Sequence, residues 1–179
     1  MNLPNKLTVF RVILIPFFVI ALLPQFSTTG RYVAVAIFIV ASLTDMLDGK
    51  IARKYNLVTN FGKLMDPLAD KLLVCTAIIC LMELDLLPYY VVIVIIAREF
   101  IISAFRLIAA NNDVVIAASY WGKFKTTFQM IMIIALLLHF DNYAWHILET
   151  VLIVVATLLT IISLLDYLVK NKDVLKDQN

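Results

Sequence analysis

Residues 31–54 read RYVAVAIFIVASLTDMLDGKIARK, an apolar run that ends in two aspartates and a basic stretch. At a rise of 1.5 Å per helical residue, Asp45 lies roughly 21 Å from Arg31 along a helix axis. The hydrocarbon core of a bilayer is roughly 30 Å thick. We therefore expect Asp45 inside a membrane or just under one face of it, where a carboxylate needs compensation.

The composition of the whole chain agrees with a membrane protein. Hydrophobic residues make up 63% of the 179 residues and charged residues only 16%, whereas a soluble domain has roughly 25% charged residues. These values exclude a soluble enzyme, a disordered chain and a secreted disulfide-rich domain. We predict one all-α, polytopic domain over 1–179 with six transmembrane helices of roughly 20 residues each. The six apolar segments are 7–24, 31–43, 62–86, 88–110, 120–140 and 144–169.

The basic residues are sorted towards one side of these six segments. An even number of spans places both termini on the same side, and fourteen of the fifteen Lys and Arg residues then fall there. Because cytoplasmic loops are enriched in Lys and Arg, we expect both termini on the cytoplasmic side of the cell membrane. The net charge is only +2, and without a soluble basic domain we expect no nucleic-acid partner.

The cysteines and histidines give no sign of a zinc site. Cys75 and Cys80 lie in one apolar run and point in different directions on a helix, so we interpret them as buried thiols. His139 and His146 have no partner at the spacing typical of metal ligands. We expect an interfacial role for the two histidines near a helix end.

Four aspartates form the most informative pattern. Asp45 and Asp48 are three residues apart, and Asp66 and Asp70 are four apart in the segment GKLMDPLAD at 62–70, so each pair shares a helix face. Four ionised carboxylates on neighbouring helices repel one another unless cations compensate them. Oxygen-only ligands favour hard cations such as Mg²⁺, Mn²⁺ or Ca²⁺. Mg²⁺ usually binds together with substrate phosphates.

Two of the four glycines stand beside these aspartates. Gly49 follows Asp48 directly, and Gly62 lies one helical turn before Asp66. At both positions the missing side chain would let a bulky ligand approach the helix backbone.

Other roles for the aspartates stay open on the sequence alone. Asp66 followed by Pro67 is also typical of a helix N-cap, and both roles can hold together. Asp45 and Asp48 can instead be structural partners of Arg53 or Arg98. Acidic residues inside membrane helices also mark ion paths, which leaves a cation transporter as an alternative function. Against that alternative, all four aspartates cluster towards the same side.

Four further cations can line an anion pocket beside the aspartates. Arg98 lies roughly 15 Å into the fourth segment, near the membrane midplane, where a lone arginine is costly. Glu99 is adjacent but is expected to point elsewhere on the helix. Arg106 follows two turns later, and Lys123 and Lys125 open the fifth segment. A substrate with its own phosphate would explain such a pocket, whereas ion pairing and surface anchoring are the simpler alternative.

The aspartate pattern resembles the signature of the CDP-alcohol phosphatidyltransferases. Its fixed positions are Asp45, Asp48, Gly49, Ala52, Arg53, Gly62, Asp66 and Asp70. The resemblance implies two divalent cations, Mg²⁺ or Mn²⁺, bound by the four aspartates, with Asp70 as general base. It also implies that a phosphatidyl group passes from CDP-diacylglycerol to an alcohol, with release of CMP. The positions implied to bind CDP-diacylglycerol are Asp45, Asp48, Gly49, Ala52, Arg53 and Gly62.

The residues after the signature resemble one branch of that family. The matching positions are Arg98, Glu99, Ser103, Arg106, Leu107, Gly122, Lys123, Lys125, Thr126 and Gln129. They imply sn-glycerol 3-phosphate as the acceptor, its phosphate bound by the four cations, and they leave inositol phosphate, inositol and serine as alternatives. The resemblance further implies a homodimer surrounded by membrane lipids. It also implies a short interfacial segment at the N-terminus, where Pro4, Asn5, Leu7, Thr8 and Arg11 match the start of such enzymes.

Overall fold

The computed structural model describes residues 2–23, 27–54, 60–111 and 119–171. Within these ranges the backbone forms six helices and no strand, which confirms the predicted all-α class. The helices follow the six apolar segments closely, and the second continues through the polar end of its segment. They are α1 (Leu3–Ala21), α2 (Ser27–Lys54), α3 (Asn60–Glu83), α4 (Tyr89–Asn111), α5 (Tyr120–Leu138) and α6 (Tyr143–Lys170).

The first helix begins earlier than the sequence predicted. The side chain of Asn2 caps α1 by accepting a hydrogen bond from the backbone N–H of Asn5 at 3.2 Å. Pro4 suits the first turn because no backbone N–H is needed there. Residues 3–7 are therefore the start of α1 itself, and their location at a membrane interface stays a prediction.

Backbone contacts divide the chain into two units, Met1–Leu84 and Asp85–Asn179. In the first unit, α1 packs against both α2 and α3, and α2 also contacts α3. The rings of Phe18 and Phe38 are fully buried, with centroids 6.2 Å apart, in the apolar core between α1 and α2. The single domain expected over 1–179 stays a prediction.

In the second unit, α6 packs against both α4 and α5. Ala156, Thr160 and Ser163 follow one buried face of α6 at helical spacing. Small side chains of this kind allow neighbouring helices to approach closely. The sequence of α6 therefore provides a narrow face on which the other two helices of the unit pack.

Among the described helices, α5 and α6 have the length and composition of membrane spans. The outer face of α6 carries Val151, Val154, Leu158 and Leu165, all exposed and spaced so that they share one side of the helix. That face suits contact with lipid chains. In contrast, α4 is long but contains three charged residues within its sequence. Two of the six predicted spans are thus supported, and the other four stay predictions.

A tight turn joins α5 to α6 around Asp141 and Asn142. His139 ends α5 in a left-handed backbone conformation (φ 36°), and its N–H donates to the carbonyl of Ala135 at 3.1 Å. The Asn142 side chain caps α6 by accepting a hydrogen bond from the N–H of Ala144 at 3.0 Å. The end of one helix and the start of the next are therefore both fixed by hydrogen bonds.

Candidate functional site

The aspartate signature lies on α2 and α3, which contact each other in the first unit. The side chains of Asp66 and Asp70 on α3 are both half-buried. On α2 the backbone is helical at the signature positions, but their side chains lie outside the described residues, so their predicted roles stay predictions. These α2 positions are Asp45, Asp48, Gly49, Ala52 and Arg53.

Asp66 is an interior residue of α3. The helix begins at Asn60, more than one turn earlier, and continues through Pro67. The interpretation of Asp66 as an N-cap is therefore wrong, because the helix start that it would satisfy lies elsewhere. Its carboxylate is thus available to a neighbouring helix or to a ligand.

Asp66 accepts a hydrogen bond from α1. The hydroxyl of Thr8, which is fully buried, donates from Oγ1 to Oδ1 of Asp66 across the α1–α3 contact. Gly62, one turn before Asp66, is also buried. Donors of this kind orient the carboxylates that bind metal ions and fix their direction. The contact therefore gives one signature aspartate a defined orientation.

A buried cation from α1 reaches the helix that carries Asp45. The side chain of Arg11 is fully buried, and its Nε donates to the carbonyl oxygen of Ala41 in α2 at 3.2 Å. In an α-helix this carbonyl pairs with the amide of residue 45, so the guanidinium lies beside the backbone of the first signature aspartate. Sequence reasoning missed this role, because the spacing of Arg11 reveals neither its burial nor its partner.

Two of the four predicted pocket cations meet in a buried cluster of the second unit. Nη1 of Arg98 lies 2.9 Å from Oε1 of Glu99, and Nζ of Lys125 contacts the same oxygen. The prediction that Glu99 points away from Arg98 is wrong, because both side chains are long enough to bend together from adjacent positions. Glu99 offsets one positive charge, and this three-residue ion cluster keeps one positive charge in total.

Arg98 also reaches α6 at a point where α5 comes close. Its Nη2 donates to Oγ of Ser163 at 2.9 Å. A Cβ atom added at Gly122 would lie 3.5 Å from that Nη2 and 3.8 Å from Oγ of Ser163. The three helices α4, α5 and α6 therefore meet around the head group of this arginine.

Several polar atoms on the same helices are buried without a hydrogen-bond partner among the described residues. They are Nε of Arg98, the amide oxygen and nitrogen of Gln129, Oδ2 of Asp166 and the hydroxyl of Tyr167. Gln129 lies one turn after Lys125 on α5, and Tyr167 lies one turn after Ser163 on α6. Buried polar groups nearly always have a partner in folded proteins. These atoms are therefore candidates to bind a polar ligand or water.

The other two predicted cations stand outside this buried cluster. Arg106 on α4 and Lys123 on α5 are both exposed. The structure thus joins Arg98 to Lys125 through Glu99 and leaves the other two cations at the surface of the second unit. A pocket that uses all four cations stays a prediction.

Comparison with known proteins identifies the family. The sequence profile of the CDP-alcohol phosphatidyltransferases matches residues 1–162. The chain belongs to this family. It is 46% identical to the CDP-diacylglycerol–glycerol-3-phosphate 3-phosphatidyltransferase of Bacillus subtilis (strain 168), an alignment that covers 99% of each chain. The match confirms the family resemblance drawn from the aspartate signature.

Two further relatives also align over most of the chain. A protein of the same name from Haemophilus influenzae is 42% identical, over 98% of this chain and 96% of its own length. A probable phosphatidylglycerophosphate synthase of Mycobacterium tuberculosis is 38% identical, over 94% of this chain and 81% of its own length. The similarity to members of the family therefore extends over nearly the whole chain.

The buried ion cluster leads to a prediction about stability. Glu99→Gln should destabilise the protein strongly, because Arg98 and Lys125 would stay buried with no carboxylate between them. Removal of one partner from a buried ion pair costs about 3–5 kcal/mol. The loss is measured as a lower midpoint of thermal unfolding in detergent.

Glu83→Gln is the matched control, since Glu83 is exposed at the end of α3. It should change the free energy of unfolding by less than about 0.5 kcal/mol. Equal midpoints for the two variants would contradict the structural role of Glu99.

Proposed function

We propose that this protein is a membrane-bound phosphatidylglycerophosphate synthase. It transfers the phosphatidyl group of CDP-diacylglycerol to a hydroxyl of sn-glycerol 3-phosphate and releases CMP, as a step of phospholipid synthesis. The observation that carries this proposal is the complete aspartate signature in a member of the CDP-alcohol phosphatidyltransferase family. Relatives at 38–46% identity carry names for this reaction. Membership of an enzyme family disfavours the cation transporter.

The four signature aspartates are assigned to two divalent cations, Mg²⁺ or Mn²⁺. Asp45, Asp48, Asp66 and Asp70 offer oxygen donors only, which suit hard cations. The hydrogen bond from Thr8 supports the assignment, because it orients the half-buried carboxylate of Asp66. When bound, such cations neutralise the diphosphate of the donor and stabilise the charge on the leaving CMP.

The remaining signature positions are assigned to the CDP end of the donor. Gly49, Ala52 and Gly62 have small or absent side chains, so a nucleotide can approach the helix backbone there. Arg53 has the charge and the planar fork of donors that suit a phosphate. The diacylglycerol end of the donor stays among lipid chains, which requires a site near the headgroup level of the membrane.

Asp70 is assigned the role of general base. In the transfer, the acceptor hydroxyl oxygen bonds to the phosphorus that carries diacylglycerol, and the bond from that phosphorus to the CMP oxygen breaks. The hydroxyl proton passes to a carboxylate oxygen of Asp70. Asp70 lies one turn after Asp66 and is half-buried, so base and metal ligand share one face of α3.

The acceptor phosphate is assigned to the cations of the second unit. The cluster of Arg98, Glu99 and Lys125 keeps one positive charge, and Arg106 and Lys123 add two exposed charges. The buried polar atoms without partners on α4, α5 and α6 supply hydrogen-bonding groups for the glycerol hydroxyls. An anionic acceptor with hydroxyl groups fits this combination better than uncharged inositol.

The protein is proposed to be an integral homodimer of the cytoplasmic membrane, with both termini and the active site on the cytoplasmic side. The one-sided distribution of Lys and Arg supports this orientation. The apolar helices α5 and α6 support membrane insertion. The family resemblance supports the homodimer.

The proposed reaction is tested by CMP release from CDP-diacylglycerol in detergent, with Mg²⁺ or Mn²⁺. We expect release to require glycerol 3-phosphate and to stop when the divalent cations are chelated. Arg106→Gln should raise the KM for glycerol 3-phosphate and leave that for the donor unchanged. Parallel reactions with inositol phosphate, inositol and serine are the controls. If only one of these three alcohols supports CMP release, glycerol 3-phosphate is not the acceptor. If no alcohol supports it, the proposed transferase activity is refuted.

Asp70→Asn should abolish turnover while the protein still binds the donor and the divalent cations. The amide keeps the shape of the side chain but cannot accept the hydroxyl proton. Donor binding and CMP release are measured on the same preparation. Asp85→Asn, at an exposed residue between α3 and α4, is the control and should keep full turnover. Near-normal turnover of Asp70→Asn would contradict its role as base.

Thr8→Val should raise the concentration of Mg²⁺ or Mn²⁺ needed for half-maximal CMP release by about tenfold. The substitution keeps the size of the side chain but removes the hydroxyl that orients Asp66, and loss of such a partner typically costs 10–100-fold in metal affinity or activity. Thr157→Val is the control, because the Thr157 hydroxyl donates only to the Ile153 carbonyl of its own helix, at 2.6 Å. The same metal dependence in both variants would contradict this assignment.

A further inference from the structure

The α5–α6 turn brings His139 beside His146 and Glu149, which lie three residues apart on α6. Nδ1 of His139 lies 2.9 Å from Oε1 of Glu149, and Nδ1 of His146 lies 3.2 Å from Oε2 of the same carboxylate. One ligand atom from each residue can be chosen so that all three lie within 4.8 Å of one another. The prediction that the two histidines have no partner suitable for metal binding is therefore wrong.

The local fold holds this histidine–glutamate cluster in place. Glu149 is only 6% exposed and belongs to the second turn of α6. His139 is fixed by its left-handed conformation at the end of α5. Nε1 of Trp145 donates to the carbonyl of Ala135 at 3.2 Å and so ties the start of α6 to the last turn of α5. The three donor groups are therefore preorganised by the backbone.

The distances and donor types suit a transition metal of the zinc class. Zinc bonds to imidazole nitrogen and carboxylate oxygen at about 2.0–2.2 Å, so neighbouring ligand atoms of a tetrahedral shell lie about 3.3 Å apart. The two nitrogen–oxygen distances of 2.9 and 3.2 Å are close to that value. Oδ1 of the exposed Asp141 lies 3.9 Å from Nε2 of His146, the ring nitrogen opposite Nδ1, so Asp141 is placed to orient this imidazole from its other side.

We propose that His139, His146 and Glu149 form a Zn²⁺-class metal site that joins the end of α5 to the start of α6, with water as the fourth ligand. Lys125 lies fourteen residues before His139 on the same helix, about 20 Å away along its axis. The site is therefore separate from the proposed acceptor cations. It uses no residue of the aspartate signature and does not depend on the proposed function.

Metal binding is tested on the full chain, purified in detergent without a polyhistidine tag and stripped with a chelator. Saturating Mg²⁺ is present throughout to occupy oxygen-only sites, and Co²⁺ is titrated as the probe. Tetrahedral Co²⁺ with nitrogen ligands absorbs visible light much more strongly than six-coordinate Co²⁺ with oxygen ligands. We expect one equivalent of the strongly absorbing species, and we expect Zn²⁺ to displace it.

The variants separate this site from every other cation site. His146→Gln and Glu149→Gln should abolish the strong absorption. His139→Asn should do the same while keeping a residue that tolerates the left-handed conformation. Asp66→Asn and Asp85→Asn are the controls and should retain the absorption. Because His146 is exposed, His146→Gln should fold normally and release CMP at the wild-type rate.

Thermal unfolding gives a second measurement of metal binding that does not depend on the visible absorption of Co²⁺. Zn²⁺ should raise the unfolding midpoint of the wild type, because a ligand that binds only the folded state stabilises it. The midpoint of His146→Gln should not change with Zn²⁺. No strong Co²⁺ absorption in the wild type, its retention in His146→Gln, or its loss in Asp66→Asn would each overturn the proposal.

Discussion

The structure depends on how an apolar helical chain compensates the few charges that it buries. A buried charge is tolerated only when it is paired and hydrogen-bonded, and only 16% of the residues are charged. Arg11 donates a hydrogen bond to a carbonyl of α2, and Asp66 accepts one from a hydroxyl of α1. The Glu99 carboxylate forms ion pairs with both Arg98 and Lys125. Each of these contacts joins two helices. In both units, the interactions that stabilise charged side chains therefore also hold helices together, by hydrogen bonds in the first unit and by ion pairs in the second.

The first helix shows how hydrogen bonds to charged side chains organise the two helices that carry the aspartate signature. Thr8 and Arg11 are three residues apart and share one face of α1. Thr8 donates to α3 and Arg11 donates to α2, so a single helix face supports both of the helices that carry the signature. The packing of α1 against α2 and α3 therefore does more than bury apolar side chains. It fixes the orientation of the Asp66 carboxylate, and it brings the permanent positive charge of Arg11 beside the backbone of Asp45.

The sequence predicted what depends on hydropathy and local spacing, and it failed where the answer depends on contacts between helices. The six helices and the family followed from apolar segments and eight fixed positions. The N-cap interpretation of Asp66 failed because the residues from Asn60 onwards are already helical. The predicted orientation of Glu99 was wrong, because the angle between adjacent positions on a helix does not account for the length and flexibility of their side chains. The partners of Arg11, and the approach of His139 to Glu149 across a turn, have no signal in spacing at all.

The second unit contains two clusters around a glutamate, one of Arg98, Glu99 and Lys125 and one of His139, His146 and Glu149. Their comparison shows why we propose a metal only at the second. Each has one largely buried carboxylate between two nitrogen-bearing side chains. Glu99 lies between an arginine and a lysine, which provide permanent positive charge, so its charge is compensated without any ligand. Glu149 lies between two imidazoles, which carry a full charge only when protonated; when neutral, they provide hydrogen bonds but no counter-charge. In the proposed site, a divalent cation bound by both imidazoles and the carboxylate would supply the positive charge that Arg98 and Lys125 supply to Glu99.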